Sequence, residues 1–258
     1  IPGVYLLTQN IGTGSYCLNI TTSHVLVDCQ GFNITYGGYS PGNGVDFQGG
    51  VGNITIKNCH FFQNISLAGE GNIGVSISAS ASSNNTFFNN TFYTQTDKGT
   101  IFLRTVNNTN ISWNTFRHQC GAFSQNTSVF DIQDMYNGYI DNNVINTTCE
   151  GQSTGAISYT LSSYAQQNMS LRGNIINTTG TSSIALALTG FTSGSVIQDN
   201  RITMYGNKST VMSLKTSTDI QIRSNIYQAT HPDVSSGIQL NFGPGGFSVN
   251  NSLFDNNI

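Results

Sequence analysis

The carboxylates are the first side chains here that could do chemistry. Twelve Asp and Glu are spread over 258 residues, and the densest group is the phrase FDIQDM, with Asp131 and Asp134 and with Asp141 close behind. Two carboxylates on neighbouring elements can share acid–base work on a glycosidic bond or ligate calcium. Arg104 and Arg117 stand about one repeat earlier and would supply positive charge to such a site. No second motif supports it. The other acids stand singly, so the pair is read as solvent-facing acids beside a turn, and no catalytic residue is expected. His24, His60, His118 and His231 are isolated, and the four Met are dispersed. Neither set makes a ligating cluster, so no metal and no cofactor are expected. Tyr36, Tyr39, Tyr93 and Trp113 are the aromatic residues with which a groove would hold sugar rings.

What must position these residues is a repeat. An Asn followed by any residue and then an apolar one recurs at Asn58, Asn90, Asn114, Asn143, Asn174, Asn200, Asn225 and Asn257, with Asp28 as a degenerate first copy. The copies are 24 to 32 residues apart. A short alternating run precedes each, such as ITIKN, NISWN and IQIRSN, and a second such run comes earlier in each unit. Helical periodicity appears nowhere. The expected architecture is therefore all-β: a parallel β-helix of about nine coils forming one domain over residues 1–258. Leu18, Ile20, Val45, Phe47, Val75, Ile77, Ile101, Leu103, Ile132, Ile184, Leu186, Ile238 and Leu240 are expected to face inward. Equivalent Asn amides stacked at a corner would donate and accept along the axis, a ladder that satisfies buried polar groups with their own copies.

The stretch CLNITTSHVLVDCQGFNITYGG, Cys17 to Gly38, resembles the first coil of right-handed parallel β-helix surface proteins. These are pectate-lyase-like in fold, are often termed NosD-like, and are frequent in archaea and bacteria. The resemblance implies a right-handed single-chain solenoid. It does not imply an activity, because the fold carries lyases, hydrolases, adhesins and structural proteins. The NTD and GHG phrases of the related hydrolases are absent, and so are the His or Met clusters that copper binding would want.

Five Cys stand at 17, 29, 59, 120 and 149. Cys120 and Cys149 each follow a repeat Asn by six residues, so stacking predicts a bond between them. A zinc site using His118 is the alternative. Cys29 and Cys59 also align, one residue after Asp28 and Asn58. The resemblance instead implies Cys17 with Cys29. A bonded pair points to an oxidising, extracellular setting.

Fourteen Asn-x-Ser/Thr sites occur, at Asn19, Asn33, Asn53, Asn64, Asn84, Asn89, Asn107, Asn110, Asn126, Asn146, Asn168, Asn177, Asn207 and Asn250. That is about twice the number chance gives for this composition, so covalent N-linked glycans are expected partners. Charged residues make up only 8% of the chain, and the net charge is -3. No basic cluster suits nucleic acid, and no apolar run is long enough to span a membrane. The chain shows no capping helix at either end. Open edges, low charge and abundant sequons together predict an extracellular structural glycoprotein, not an enzyme, whose copies stack head to tail into a filament or surface layer. A carbohydrate-active enzyme or a sugar-binding adhesin is the alternative.

Overall fold

The computed structural model describes residues 1–12, 17–37, 42–64, 77–95, 99–119, 128–148, 155–160, 168–180, 183–190, 194–206, 209–215, 220–230, 236–241 and 252–254. Asn126, Asn207, Asn250, Asn257, Tyr39, His231, Cys120 and Cys149 lie outside these, and with the last two the expected Cys120–Cys149 bond. All regular structure among the described residues is strand. The strands form three parallel sheets of ten, nine and nine strands. Hydrogen-bonded neighbours in each sheet are three strands apart along the chain. The chain thus visits the first, second and third sheets in turn and then begins again one strand spacing further on. That is a β-solenoid.

Alternation along each strand fills the interior. In the first sheet Phe87, Ile111, Ile140, Leu171, Ile197 and Ile222 are in register and buried. In the second, Phe61, Phe92 and Phe116 stack with ring centroids 4.8 and 4.7 Å apart. In the third, Val45, Ile77, Ile101, Phe130, Ile157, Leu186 and Met212 form the equivalent column. Each such side chain contributes about 1.5–3 kcal/mol by leaving water. Ile184 is only half-buried, because Ala185 and Leu186 take the interior there. Val75 and the side chains of Ile238 and Leu240 are outside the described set.

The corner between the first and second sheets is tight. It consists of an outward residue at positive φ followed by an inward one. The inward residue is Asn90, Asn114, Asn143, Asn174, Asn200 or Asn225, each almost fully buried. Each Oδ1 beyond the first accepts from both the backbone N–H and the side-chain Nδ2 of the preceding rung, as Asn143 does from Asn114 at 2.9 and 3.1 Å. Each Nδ2 also donates to a carbonyl one coil below, for example Asn143 to Ile111 O at 2.9 Å.

Two expectations are corrected at this corner. Asn58 is not a rung. It is the outward residue, with φ 55°, and its amide donates to Asp28 Oδ1 at 2.9 Å. Cys59 takes the inward place, and its backbone N–H donates to Asn90 Oδ1 at 3.0 Å. The second correction concerns the sulfur pairing. Cys29 bonds Cys59, with Cα atoms 4.7 Å apart, and Cys17 is a free thiol. Cys17 sits beside the third sheet, whereas Cys29 and Cys59 share one corner on adjacent coils. Burial pushes the Cys17 thiol up to about 11, so it is not a reactive nucleophile.

Candidate functional site

Asp131, Asp134, Asp141, Arg104 and Arg117 are close in sequence, but the coil distributes them around the solenoid. Asp141 lies on the outer face of the first sheet, where Ser170 Oγ and the Arg172 backbone N–H donate to it, both at 3.0 Å. Arg117 is on the second sheet. Asp134 is buried near the end of a third-sheet strand, at φ 58°. Only Asp131 and Arg104 share a face.

That face belongs to the third sheet, where Phe102 pairs with Asp131 and Arg104 with Gln133 on the next strand. The Arg104 guanidinium lies 5.3 Å from the Phe102 ring centroid, and its Nε donates to Gln133 Oε1 at 3.1 Å. Burial pushes the Asp131 carboxyl above the usual carboxylate range. A hydrogen bond with the Gln133 side chain and the positive charge of Arg104 partly oppose this. The result is a half-buried acid that keeps its proton to higher pH than an ordinary Asp, beside a fixed cation.

The second sheet carries a different chemistry. None of its nine strands contains an Asp or Glu. Its outward positions run from Phe62 through Tyr93, Arg117 and Asn146 to Asn177 on successive coils. Phe62 and Tyr93 stack with centroids 4.6 Å apart. The Arg117 guanidinium covers the other face of this stack, 5.3 Å from the Tyr93 centroid. Asn177 Nδ2 donates to Asn146 Oδ1 at 2.9 Å. Arg117 is thereby held in place by an aromatic column, and no ion pair to it is formed among the described residues. Its planar fork of donors suits an oxyanion.

An open groove of about 640 Å³ runs past Arg117, lined by Tyr93, Gln95, Gln119, Asn146 and Thr148. Beneath it are two buried polar side chains. Gln63 Oε1 accepts from the Gln95 backbone N–H at 2.9 Å, and His118 Nδ1 lies 2.8 Å from Thr94 Oγ1. Gln63 Nε2 and His118 Nε2 have no hydrogen-bond partner among the described residues. Both line the groove. Burial pushes His118 down to about 4, so the imidazole is neutral at ordinary pH. Buried polar groups usually find partners; these two nitrogens lie beneath the groove floor, sealed from solvent.

The remaining candidates separate by exposure. Tyr36 is fully buried core and lines no groove. Trp113 stands 60% exposed at the corner leading into the second sheet. Asn19, Asn53, Asn64, Asn84, Asn89, Asn107 and Asn168 are exposed, while Asn33, Asn110, Asn146 and Asn177 are half-buried. His24 and His60 are not gathered with other ligating groups. Among the described residues no three His, Cys, Asp or Glu side chains form a metal site, and no helix is long and apolar enough to cross a membrane. Of the second-sheet groove, Tyr93, Arg117, His118 and Asn146 stand out in the sequence for four separate reasons, which do not bring them together. The signal that would have found it is the lack of acids at every position that maps to this sheet.

No protein-family model matches the chain, and no curated protein matches it. Solved structures do. A mutant tailspike protein of E. coli bacteriophage HK620, in complex with a pentasaccharide, is 8% identical with a TM-score of 0.52; the match covers 98% of this chain and 57% of that one. This chain therefore spans little more than half the tailspike's length. The periplasmic alginate epimerase AlgG, as its T265N mutant, is 11% identical over 99% of this chain and 79% of its own, with a TM-score of 0.45. PfbA, a surface adhesin of Streptococcus pneumoniae, is 14% identical over 100% and 76%, with a TM-score of 0.39. The tailspike likeness shows the fold, a parallel β-helix.

It also corrects the expectation of an inert filament subunit. The match covers 98% of this chain on a protein of the same fold held in complex with a pentasaccharide, so a β-helix of this form is no sign of a purely structural role. The expectation that the chain is not an enzyme rested on the scatter of its acids along the sequence, and is withdrawn with it.

Proposed function

We propose that the chain recognises an extended glycan on the outer face of its second sheet, with acidic sugars preferred. The observation that carries this is the groove: Arg117 fixed over Tyr93, amides and hydroxyls on either side, and no carboxylate on the sheet. Clefts with a few convergent polar groups are the usual form of a small-ligand site. The tailspike of the same fold was captured with a pentasaccharide, which supports the ligand class. The Cys29–Cys59 bond supports an oxidising, exported location, and exposed sequons such as Asn53 and Asn84 are where attached glycans would project. The test is a glycan array probed with protein made in a host without N-glycosylation. Acidic polysaccharides should be retained, and Arg117→Gln should weaken them about tenfold or more, the range of a hydrogen bond to a charged group. An array on which no glycan rises above background sinks the reading.

A second reading adds catalysis on the third sheet, favoured by the elevated Asp131 carboxyl beside Arg104. A protonated Asp131 would give its proton to the leaving oxygen as the glycosidic C–O bond breaks, water would add to the anomeric carbon, and the proton that the water loses would return to the Asp131 carboxylate. Activity through this group falls as pH rises past its raised pKa, because the acid form is lost. Asp131→Asn should abolish release of reducing ends from polysaccharides retained on the array while leaving their binding intact. Unchanged turnover in that variant excludes the role.

A further inference from the structure

Trp113 is the only tryptophan of the chain, and it occupies a conformation that suits it poorly. Its φ is 59°. The same outward corner place is taken on other coils by Asn58, Asn89, Asn142, Gly173, Asp199 and Ser224, all with φ between 52° and 61°. These are mostly residue types that tolerate the left-handed region. A bulky aromatic residue there is an outlier, held at a conformational cost. Burial does not compensate, because the indole is 60% exposed. Packing therefore gives no reason for tryptophan at this turn, and an observed outlier of this kind points to function.

Its place relative to the groove supplies the reason. Trp113 leads directly into the strand Thr115–Gln119. Along that strand Phe116 and His118 are buried, while Thr115, Arg117 and Gln119 face outward. Trp113, Thr115, Arg117 and Gln119 thus form one line across the second sheet, perpendicular to the solenoid axis. At the rise of a β-strand, the indole and the Arg117 guanidinium are based on the order of 12 Å apart. The corner residues on the coils before and after are Asn89 and Asn142, both exposed. An apolar ring flanked by amides offers what a pyranose presents: a CH face to cover and hydroxyls to hydrogen-bond. On the Tyr93 ring both faces are already taken, by Phe62 and by Arg117, so on the coil of Arg117 the exposed ring available to a sugar is Trp113.

We infer that Trp113 is an outlying stacking subsite of the glycan groove, so that the glycan lies across the second sheet from Gln119 and Arg117 to the indole. This rests on the glycan-binding reading and adds a direction, a length requirement and a residue to it. A ligand too short to span the sheet reaches Arg117 alone; a longer one gains the indole.

The single tryptophan reports on its own occupancy. Unglycosylated protein would be titrated with oligogalacturonates from disaccharide to octasaccharide, by calorimetry and by tryptophan fluorescence in parallel. The disaccharide should bind without changing the fluorescence. Longer oligomers should shift the emission and bind at least tenfold tighter. Trp113→Asn should lose that gain with length while melting at higher temperature than the parent, because Asn suits the turn. Trp113→Phe should keep part of the gain. Calorimetric binding that is independent of length, or a length gain that survives in Trp113→Asn, overturns the inference and leaves the groove reading standing. Heat changes absent with every oligomer overturn both.

Discussion

At the scale of single residues, His118 shows how burial sets a titration. Its ring is sealed inside the second sheet with Thr94 and Thr100 hydroxyls 2.8 and 3.3 Å from Nδ1. Burial pushes its pKa from 6.5 down to about 4. Above pH 6.5 the imidazole is neutral in both folded and unfolded chains, so it adds no pH dependence. As pH falls from 6.5 towards 4 the unfolded chain takes up a proton that the folded chain refuses, and stability is lost. Below 4 both forms are protonated and the loss levels off. The full penalty is about 3 kcal/mol. His118→Leu should remove it, since Thr94 and Thr100 remain paired at 2.8 Å. Urea unfolding of both proteins at pH 7 and pH 4 checks this: the stability difference should shift by about 3 kcal/mol towards the variant at the lower pH. Parallel losses in the two proteins would mean that His118 opens to solvent.

At the scale of the structural element, the corner ladder makes the sharper claim. Asn143 accepts from both nitrogens of Asn114 and donates to Ile111 O, all in a dry interior. Asn143→Leu leaves the buried Asn114 N–H without a partner and takes a donor from the Ile111 carbonyl, and should cost about 3 kcal/mol. Asn58→Gly keeps the left-handed turn free of strain and removes only outer-column hydrogen bonds, so it should cost less, about 1 kcal/mol. Equal losses in denaturant unfolding would place Asn58 back among the rungs. Here the sequence was informative to within one residue. The repeat of Asn and the alternation of apolar residues mark where strands and corners fall. The outward and inward places of the corner are adjacent, and both accept Asn, as in Asn89–Asn90 and Asn142–Asn143. In KNC the only Asn is the outward one, so the phrase misassigns the rung that Cys59 fills. The disulfide was one of the open pairings for the same reason: spacing allowed Cys29 to meet Cys59, but only the corner's geometry chose it.

At the scale of the whole molecule, the solenoid sorts charge by sheet. The first and third sheets carry Asp28, Asp46, Asp131, Asp134 and Asp141, and the second carries none, although the chain is net acidic. Among the described strands, the second sheet is thus the one without a carboxylate. This sorting is not visible in the linear sequence, where the acids stand scattered. What the sequence determined alone is the class of fold. Strand alternation and a repeat of 24 to 32 residues are local properties, and a chain that carries them all along its length can bury its apolar faces by coiling. What tertiary structure decided is which residues meet. One coil turns through three sheets, so Arg117, Asp131 and Asp141, within 24 residues of one another, point to three different faces. Tyr93 and Arg117, a coil apart, are brought to 5.3 Å. Contact in a solenoid follows register between coils, and register depends on turn lengths that differ from coil to coil and are settled only when the coils stack.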